Sequence, residues 1–271
     1  MSTKLKIAAA VAAAVLLSAC SSPKHEPMPL VNFTPSMEVT EVWSKGLSSA
    51  EGFLVPAVYD DMVFAAGGKT LTRLNARTGE TEWSVSFDSP ITGGVGSDGY
   101  VTAVGLWDGN LEVVDAEGKV SWEKKLTTEL ASPPVVSHGL VIARTMDTRV
   151  SAFEASSGEL QWTYQKSQPA LTVRLPTRML AHDNFLLVGQ PNGHIVILDI
   201  ASGKPVFEFQ VAQAKGVTEV ERLVDVVGAP AFSENLVCAA AFQGAVTCVD
   251  STNGQTKWTQ KIDAVAGPAI D

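Results

Sequence analysis

Histidine and cysteine are scarce in this sequence: among its 271 residues there are four histidines and three cysteines. His25, His138, His182 and His194 show none of the short spacings typical of metal ligands. No G-x-S-x-G segment occurs, and the glycine cluster at residues 93–96 is followed by no helical pattern, which excludes a nucleophile elbow and a phosphate-binding loop. The sequence therefore gives no support for catalysis, and we expect neither a metal nor a cofactor.

Basic residues are also in the minority, because 20 Lys and Arg stand against 29 Asp and Glu, a net charge of −9. A surface of this sign repels nucleic acid and anionic membranes. The charge balance excludes a nucleic-acid partner and favours a protein partner with basic patches.

The N-terminal apolar run, residues 7–17, is too short to span a bilayer and follows Lys4 and Lys6, an order typical of a secretory signal. The next segment, "LSAC", ends at Cys20. It resembles the lipobox of bacterial lipoproteins, in which the cysteine thiol receives a diacylglyceryl group. Ser21 follows in place of aspartate. By resemblance to lipoprotein sorting, this implies a lipid anchor on the periplasmic face of the outer membrane of a Gram-negative cell.

Three segments follow from these features. Residues 1–19 are predicted to be a signal peptide, and residues 20–38, which contain four prolines and no periodicity, a lipidated flexible tether. Residues 39–271 are predicted to form the folded domain. Removal of residues 1–19 takes away two lysines and leaves 18 basic against 29 acidic residues, a net charge of −11.

A turn with glycine followed by tryptophan recurs along the folded domain. "ARTGETEW", "DAEGKVSW", "ASSGELQW" and "DSTNGQTKW" end at Trp83, Trp122, Trp162 and Trp258, and the fourth unit, "ASGKPVF", has Phe207 in place of tryptophan. The turn glycines are 39, 40, 45 and 51 residues apart. Such a period indicates a repeat architecture.

Each unit contains four short runs of β-branched or apolar residues bounded by turn residues. In the clearest unit, residues 132–165, the predicted strands are residues 135–136, 140–144, 149–154 and 160–164. No window shows a sustained helical period. Four antiparallel strands in about 40 residues, repeated in tandem, predict an all-β fold, a β-propeller of four-stranded blades.

The spacing resembles the quinoprotein-type propeller repeat, in which the turn and the tryptophan dock one blade against the next. An aromatic residue buried in such a seam covers on the order of 200 Å² and contributes several kcal/mol. We therefore interpret the tryptophans as core residues. Trp43 lies forty residues before Trp83, and Pro268 lies where a sixth unit would open. Five blades are complete, and we expect roughly three more, because propellers close and this repeat family usually closes at about eight.

Quinone-dependent dehydrogenases with this repeat carry an adjacent cysteine pair, a calcium site and a catalytic aspartate. No adjacent cysteine pair occurs here. Cys238 and Cys248 flank a predicted hairpin. Both a disulfide and two small buried residues fit that placement, and geometry must decide between them.

Two long insertions separate the units, at residues 165–178 and 210–230. Both link the outer strand of one blade to the inner strand of the next, so they are predicted to emerge on the same face, where binding residues tend to lie. Leu171, Val173 and Leu175 surround Arg174 in the first. Either these apolar side chains bind a partner or they fold back over the blades.

The lipobox, the Pro-rich tether, the repeat and the segments "LTVR" and "ERLVDV" together resemble the BamB family of lipoproteins of the β-barrel assembly machinery, over essentially the whole chain. In that family the corresponding loops bind the POTRA domains of BamA, the subunit that inserts outer-membrane barrels. By position, the resemblance implies Leu171, Val173, Arg174 and Asp225 as contacts. Val227 occupies a position where the family commonly has a second acidic residue.

The resemblance implies a non-catalytic scaffold that binds BamA and the barrel assembly complex and assists the folding and insertion of outer-membrane proteins. Nascent outer-membrane proteins are a further candidate partner. The alternatives are a periplasmic quinone-dependent oxidoreductase and a propeller that binds cell wall or sugar.

Overall fold

The computed structural model describes residues 32, 34–35, 37–48, 54–167 and 169–270. The chain divides into two units, Met1–Glu41 and Val42–Asp271. The described residues of the first unit are exposed and belong to no helix or strand. Cys20, the signal peptide and nearly all of the tether lie outside the described residues, so these assignments stay predictions. Within the described part of the chain, no helix is long and apolar enough to cross a membrane.

The second unit contains twenty strands in five four-stranded antiparallel sheets, each built from consecutive strands. The first sheet contains β1 (Ala57–Tyr59), β2 (Met62–Gly67), β3 (Thr70–Asn75) and β4 (Thr81–Ser86). The second contains β5 (Ile91–Ser97), β6 (Thr102–Leu106), β7 (Asn110–Val114) and β8 (Val120–Lys125). The third contains β9 (Val135–Ser137), β10 (Leu140–Arg144), β11 (Val150–Glu154) and β12 (Leu160–Tyr164). The fourth contains β13 (Leu180–His182), β14 (Phe185–Gly189), β15 (His194–Asp199) and β16 (Pro205–Gln210). The fifth contains β17 (Val226–Ser233), β18 (Leu236–Ala241), β19 (Gly244–Asp250) and β20 (Thr256–Ile262).

The all-β architecture and the five complete four-stranded units are confirmed. Short strands with β-branched residues form because consecutive hairpins satisfy the backbone of the inner strands, while turn residues set each boundary. The fourth strand of each sheet is largely exposed: β12 and β16 contain one buried residue each, and β4, β8 and β20 contain none.

The core lies in the seams between consecutive sheets. Each of the four seams contains one cluster of buried apolar side chains contributed by both of its sheets. Representative members are Phe64 and Leu106 at the first seam, Leu111 and Val141 at the second, Ile142 and Leu186 at the third, and Ile195 and Val237 at the fourth. Burial of this apolar area, at about 25 cal/mol per Å², is what holds neighbouring sheets together.

Four indoles connect each sheet to the chain segment before it. Each indole Nε1 donates a hydrogen bond of 2.8–2.9 Å to a carbonyl oxygen in the turn between the third and fourth strands of the following sheet. The pairs are Trp43 with Ala76, Trp83 with Ala116, Trp122 with Ala155 and Trp162 with Ile200. The predicted role of the tryptophans in the seams is confirmed for Trp83, Trp122 and Trp162, and Trp43 makes the same contact with the first sheet.

Glycine is required in these turns because the indole lies directly against it. A Cβ at Gly79 would come within 2.6 Å of the Trp43 ring, and the same conflict arises at the equivalent turns of the next three sheets. The φ angle of Gly79 is also positive, at 71°, a conformation that glycine adopts without steric cost. The recurring spacing of glycine and tryptophan in the sequence therefore reflects one repeated contact.

Cys238 and Cys248 form a disulfide between β18 and β19. The two residues lie directly opposite each other in the antiparallel pair, with a Cα–Cα distance of 4.1 Å. This settles the two alternatives left open by the sequence in favour of the bond.

Two carboxylates face each other across the second sheet. Glu112 on β7 is 8% exposed and lies opposite Glu123 on β8. Burial, followed by the charge of Glu123, raises the pKa of Glu112 to about 7. The folded protein thus retains a proton that the unfolded chain releases near the ordinary glutamate pKa, and this group lowers stability as pH rises towards 7.

Replacement of Glu112 by glutamine is therefore expected to raise the melting temperature at pH 8 by about 2–5 °C, because it removes a buried charge next to a like charge. The gain should shrink as pH falls from 7 towards 4.5, where the native carboxyl is itself neutral. Thermal unfolding followed by circular dichroism at several pH values measures this. Glu117→Gln, at an exposed turn residue, is the control. A gain independent of pH would contradict the explanation.

Candidate partner-binding site

The two long connections of the sequence meet on one face of the sheets. Residues 165–179 join β12 to β13, and residues 211–225 join β16 to β17. The backbone of Gly228, at the start of β17, exchanges hydrogen bonds with Pro176 (2.8 Å) and Arg178 (2.9 Å) of the first connection. The structure therefore brings the ends of the two connections together, as the repeat pattern predicted.

Asp225 links the two connections through its side chain. The Val173 backbone N–H donates a hydrogen bond of 2.5 Å to Oδ2 of Asp225. Asp225 is only 6% exposed. The buried carboxylate of Asp225 therefore holds the first connection in place through its hydrogen bond to Val173.

Arg144, at the end of β10, carries the positive charge that interacts with the buried carboxylate of Asp225. It is 5% exposed, and its Nη1 donates a hydrogen bond of 3.2 Å to the hydroxyl of Thr177. Burial lowers the pKa of Arg144 to about 10, against the opposing effect of Asp225. Burial also raises the pKa of Asp225, against the opposing effects of the Val173 N–H and of Arg144. The opposite charges reduce each other's desolvation cost.

The exposed part of the first connection is apolar and cationic. Leu171 is 42% exposed, Arg174 is exposed, and Val173 and Leu175 are half-buried. Val173 and Leu175 of this segment are thus partly covered by the protein, whereas Leu171 and Arg174 face solvent. Val173 and Leu175 therefore fold partly back, one of the two alternatives that the sequence left open, and contact of Leu171 with a partner stays a prediction.

The second connection adds two exposed apolar side chains that the sequence analysis missed. Val217 is 95% exposed and Val220 is 59% exposed. They belong to a tight turn in which the Glu221 carboxylate accepts hydrogen bonds from the backbone N–H groups of Val217 and Thr218, at 2.9 and 3.0 Å. These bonds lower the pKa of Glu221. The T-x-x-E spacing of Thr218 and Glu221, which is typical of a capping box, was the available signal.

A cavity of about 560 Å³ lies beneath the first connection, where the first strands of several sheets begin. Thr92, Ser132, Arg144, Val173 and Asp225 are among its lining residues. No group of three or more His, Cys, Asp or Glu side chains able to hold a metal occurs among the residues that the structure describes. Val227, two residues after Asp225, is 1% exposed on β17.

Comparison with known proteins gives a consistent result. The family model described as outer membrane protein assembly factor BamB matches residues 67–271. A curated protein of that name from Burkholderia pseudomallei is 38% identical over 269 residues, which cover 97% of this chain and 71% of the relative. The one from Bordetella pertussis is 34% identical, with 94% of this chain and 68% of the relative covered.

Solved structures confirm the propeller. The crystal structure of BamB from Moraxella catarrhalis matches with a TM-score of 0.72 and 27% identity, covering 79% of this chain and 65% of that one. A quinohaemoprotein alcohol dehydrogenase from Comamonas testosteroni matches with a TM-score of 0.56 at 18% identity, covering 80% of this chain and 44% of that one. The second likeness concerns the fold alone.

Proposed function

The chain belongs to the family of outer membrane protein assembly factor BamB, and we propose from this that it is a non-catalytic scaffold of the barrel assembly machinery which binds POTRA domains of BamA. The relatives are named as assembly factors, and this supports the assignment to outer-membrane protein assembly. We propose the periplasmic face of the outer membrane as its location, with Cys20 as the lipidation site.

The observation that carries the binding proposal is the pairing of the two connections on one face. Leu171 and Arg174 are exposed on a segment whose backbone is tied to Asp225 and to β17. A fixed loop loses little conformational entropy on binding, so its exposed side chains can contribute most of their contact energy to affinity. Leu171 offers buried apolar area, and the guanidinium of Arg174 can fix the orientation of an acidic or carbonyl group of the partner.

The four site residues have different proposed roles. Leu171 and Arg174 contact BamA directly, with Val173 between them as a half-buried support. Asp225 acts through the loop, because its carboxylate is buried against Val173 and faces Arg144. We therefore propose it as a positioning residue. Val217 and Val220 extend the contact surface onto the second connection.

The combined substitution Leu171→Glu and Arg174→Ala is expected to abolish capture of BamA while leaving the fold intact. It places a carboxylate at the apolar anchor and removes the cation, and neither side chain is buried. Capture by the purified full-length protein, together with the thermal unfolding transition, measures both effects.

The control for this test is Leu160→Glu combined with Arg77→Ala. It makes the same changes at exposed residues on β12 and in the β3–β4 turn. This control should capture BamA as the unmodified protein does. Undiminished capture by the Leu171 and Arg174 variant would overturn the site assignment.

A further inference from the structure

The seam between the fourth and fifth sheets is built differently from the seams before it. At the third seam the Trp162 side chain is 9% exposed and its Nε1 donates to the carbonyl of Ile200. At the fourth seam Phe207 takes the equivalent place and lies against Gly254 of the β19–β20 turn, but it is 41% exposed. A phenyl ring has no N–H group, so the aromatic contact is kept while the hydrogen bond to the turn is lost.

The carbonyl that lacks this donor is that of Ser251. Ile200 precedes Gly203 by three residues, and Ser251 precedes Gly254 by the same three. Among the hydrogen bonds of the described residues, none is donated to the Ser251 carbonyl, although its N–H donates to Asn235. The fourth seam therefore contains an acceptor at the position that an indole satisfies elsewhere.

A cavity of about 600 Å³ opens beside Phe207 at this seam. Its floor is apolar and includes Leu187, Ile197, Phe232 and Val237. Two further apolar side chains on its walls are accessible, Phe185 at 41% and Val206 at 52%. A groove of this volume accommodates an aromatic side chain together with the backbone that carries it. We call the surface lined by these residues, Phe207 and residues 251–254 the fourth-seam groove.

The charges that line the fourth-seam groove are acidic. Asp183, whose side chain is 80% exposed, and the exposed Glu234 lie on two turns at its edge. No lysine or arginine is among the described residues that line it. His182 lies over Phe232, with 3.7 Å between the ring centroids, and so belongs to the aromatic wall. An apolar floor with carboxylates at the rim is complementary to an aromatic side chain with a cationic neighbour.

The groove lies away from the proposed BamA surface. Its polar lining comes from the β13–β14, β17–β18 and β19–β20 turns. The connections that carry Leu171 and Val217 leave the opposite ends of the strands, after β12 and β16. Substitutions in the groove can therefore be made without touching the BamA contacts.

We propose that the fourth-seam groove binds an extended segment of an unfolded polypeptide through one aromatic side chain, with an adjacent lysine or arginine paired to Asp183 or Glu234. The aromatic ring packs against Phe185 and Phe207, and an indole N–H reaches the Ser251 carbonyl. Burial of the ring provides the main driving force, since aromatic side chains bury 150–250 Å² on average. The rim carboxylates add selectivity and a dependence on salt.

The experiment uses a short fluorescein-labelled synthetic peptide with one tryptophan flanked by lysines in an otherwise Gly and Ser sequence. Binding to the purified full-length protein is followed by fluorescence anisotropy. Two matched peptides carry alanine in place of the tryptophan or glutamate in place of the lysines. We expect both to bind at least about tenfold more weakly.

Two protein variants separate the groove from the fold. Phe207→Trp supplies the indole that the other seams have, so it should raise the melting temperature and weaken peptide binding by about tenfold or more. Asp183→Lys combined with Glu234→Lys leaves the seam packing intact and should weaken binding by a similar factor at low salt. If Phe207→Trp does not fold, the charge variant decides the question.

The proposal is overturned if the alanine peptide binds as tightly as the tryptophan peptide, or if binding by the folded charge variant is unchanged. BamA capture is measured on the same variants and should not change. If a groove variant loses BamA capture but still binds the peptide, the two surfaces are not separate. If a groove variant loses peptide binding alone, the result supports the groove and leaves the BamA assignment unchanged.

Discussion

Trp162→Ala is expected to lower the free energy of unfolding by about 3–5 kcal/mol. The indole is 9% exposed, donates a hydrogen bond of 2.8 Å to Ile200, and packs against Gly203 at the seam between the third and fourth sheets. Its removal leaves a cavity at that seam and an unpaired carbonyl in the turn, two effects that add to the lost apolar burial. Urea unfolding followed by circular dichroism gives the change in free energy.

Trp107→Ala is the control, because it removes the same side chain from an exposed turn instead of a seam. Trp107 lies between β6 and β7 and is 62% exposed. Its replacement should cost no more than about 1 kcal/mol. Equal losses for the two variants would contradict the conclusion that the indole of Trp162 stabilises the fold through the seam.

Asp225→Ala is expected to destabilise the fold by about 2–4 kcal/mol and to abolish BamA capture. The substitution leaves the Arg144 guanidinium buried without its neighbouring carboxylate and removes the acceptor of the Val173 N–H. The first connection is then no longer fixed, so binding must supply the cost of ordering it. Urea unfolding and capture by the full-length protein measure the two effects.

A second variant tests whether the buried charges are the cause. Arg144→Met combined with Asp225→Asn removes both charges and keeps the approximate volumes and an amide oxygen as acceptor. Much of the lost stability should return, because no unpaired charge remains in the interior. If the double variant is as unstable as Asp225→Ala, the contribution of Asp225 comes from packing, and the proposed role of the charge pair is wrong.

The sequence predicted the fold well because the contact that joins neighbouring sheets leaves the same short sequence pattern in successive units. A glycine in a turn and a tryptophan four residues later recur in four of the five units, and the hydrogen bonds of Trp83 and Trp122 each span 33 residues. A repeated geometric requirement produces a repeated sequence signal. The strand boundaries follow from turn residues that sit at equivalent places in every sheet.

The sequence predicted where the candidate site lies, but it could not predict which of its residues are exposed and which are buried. Asp225 was expected as a contact residue by resemblance to the BamB family, and it is only 6% exposed. The charge of Arg144, which opposes the effect of burial on Asp225, comes from β10, about two units earlier in the chain. No local pattern reports such a pair. The replacement of tryptophan by Phe207 was visible in the sequence, but the cavity beside it depends on packing between two sheets.

We propose that the stacked sheets hold the Leu171 segment in place as a contact for BamA. A photo-reactive amino acid placed at position 171 of the full-length protein in intact cells tests this proposal, with position 160 as the matched exposed site. We expect a crosslink to BamA from position 171 and none from position 160. Crosslinks from position 160 with none from position 171 would contradict it.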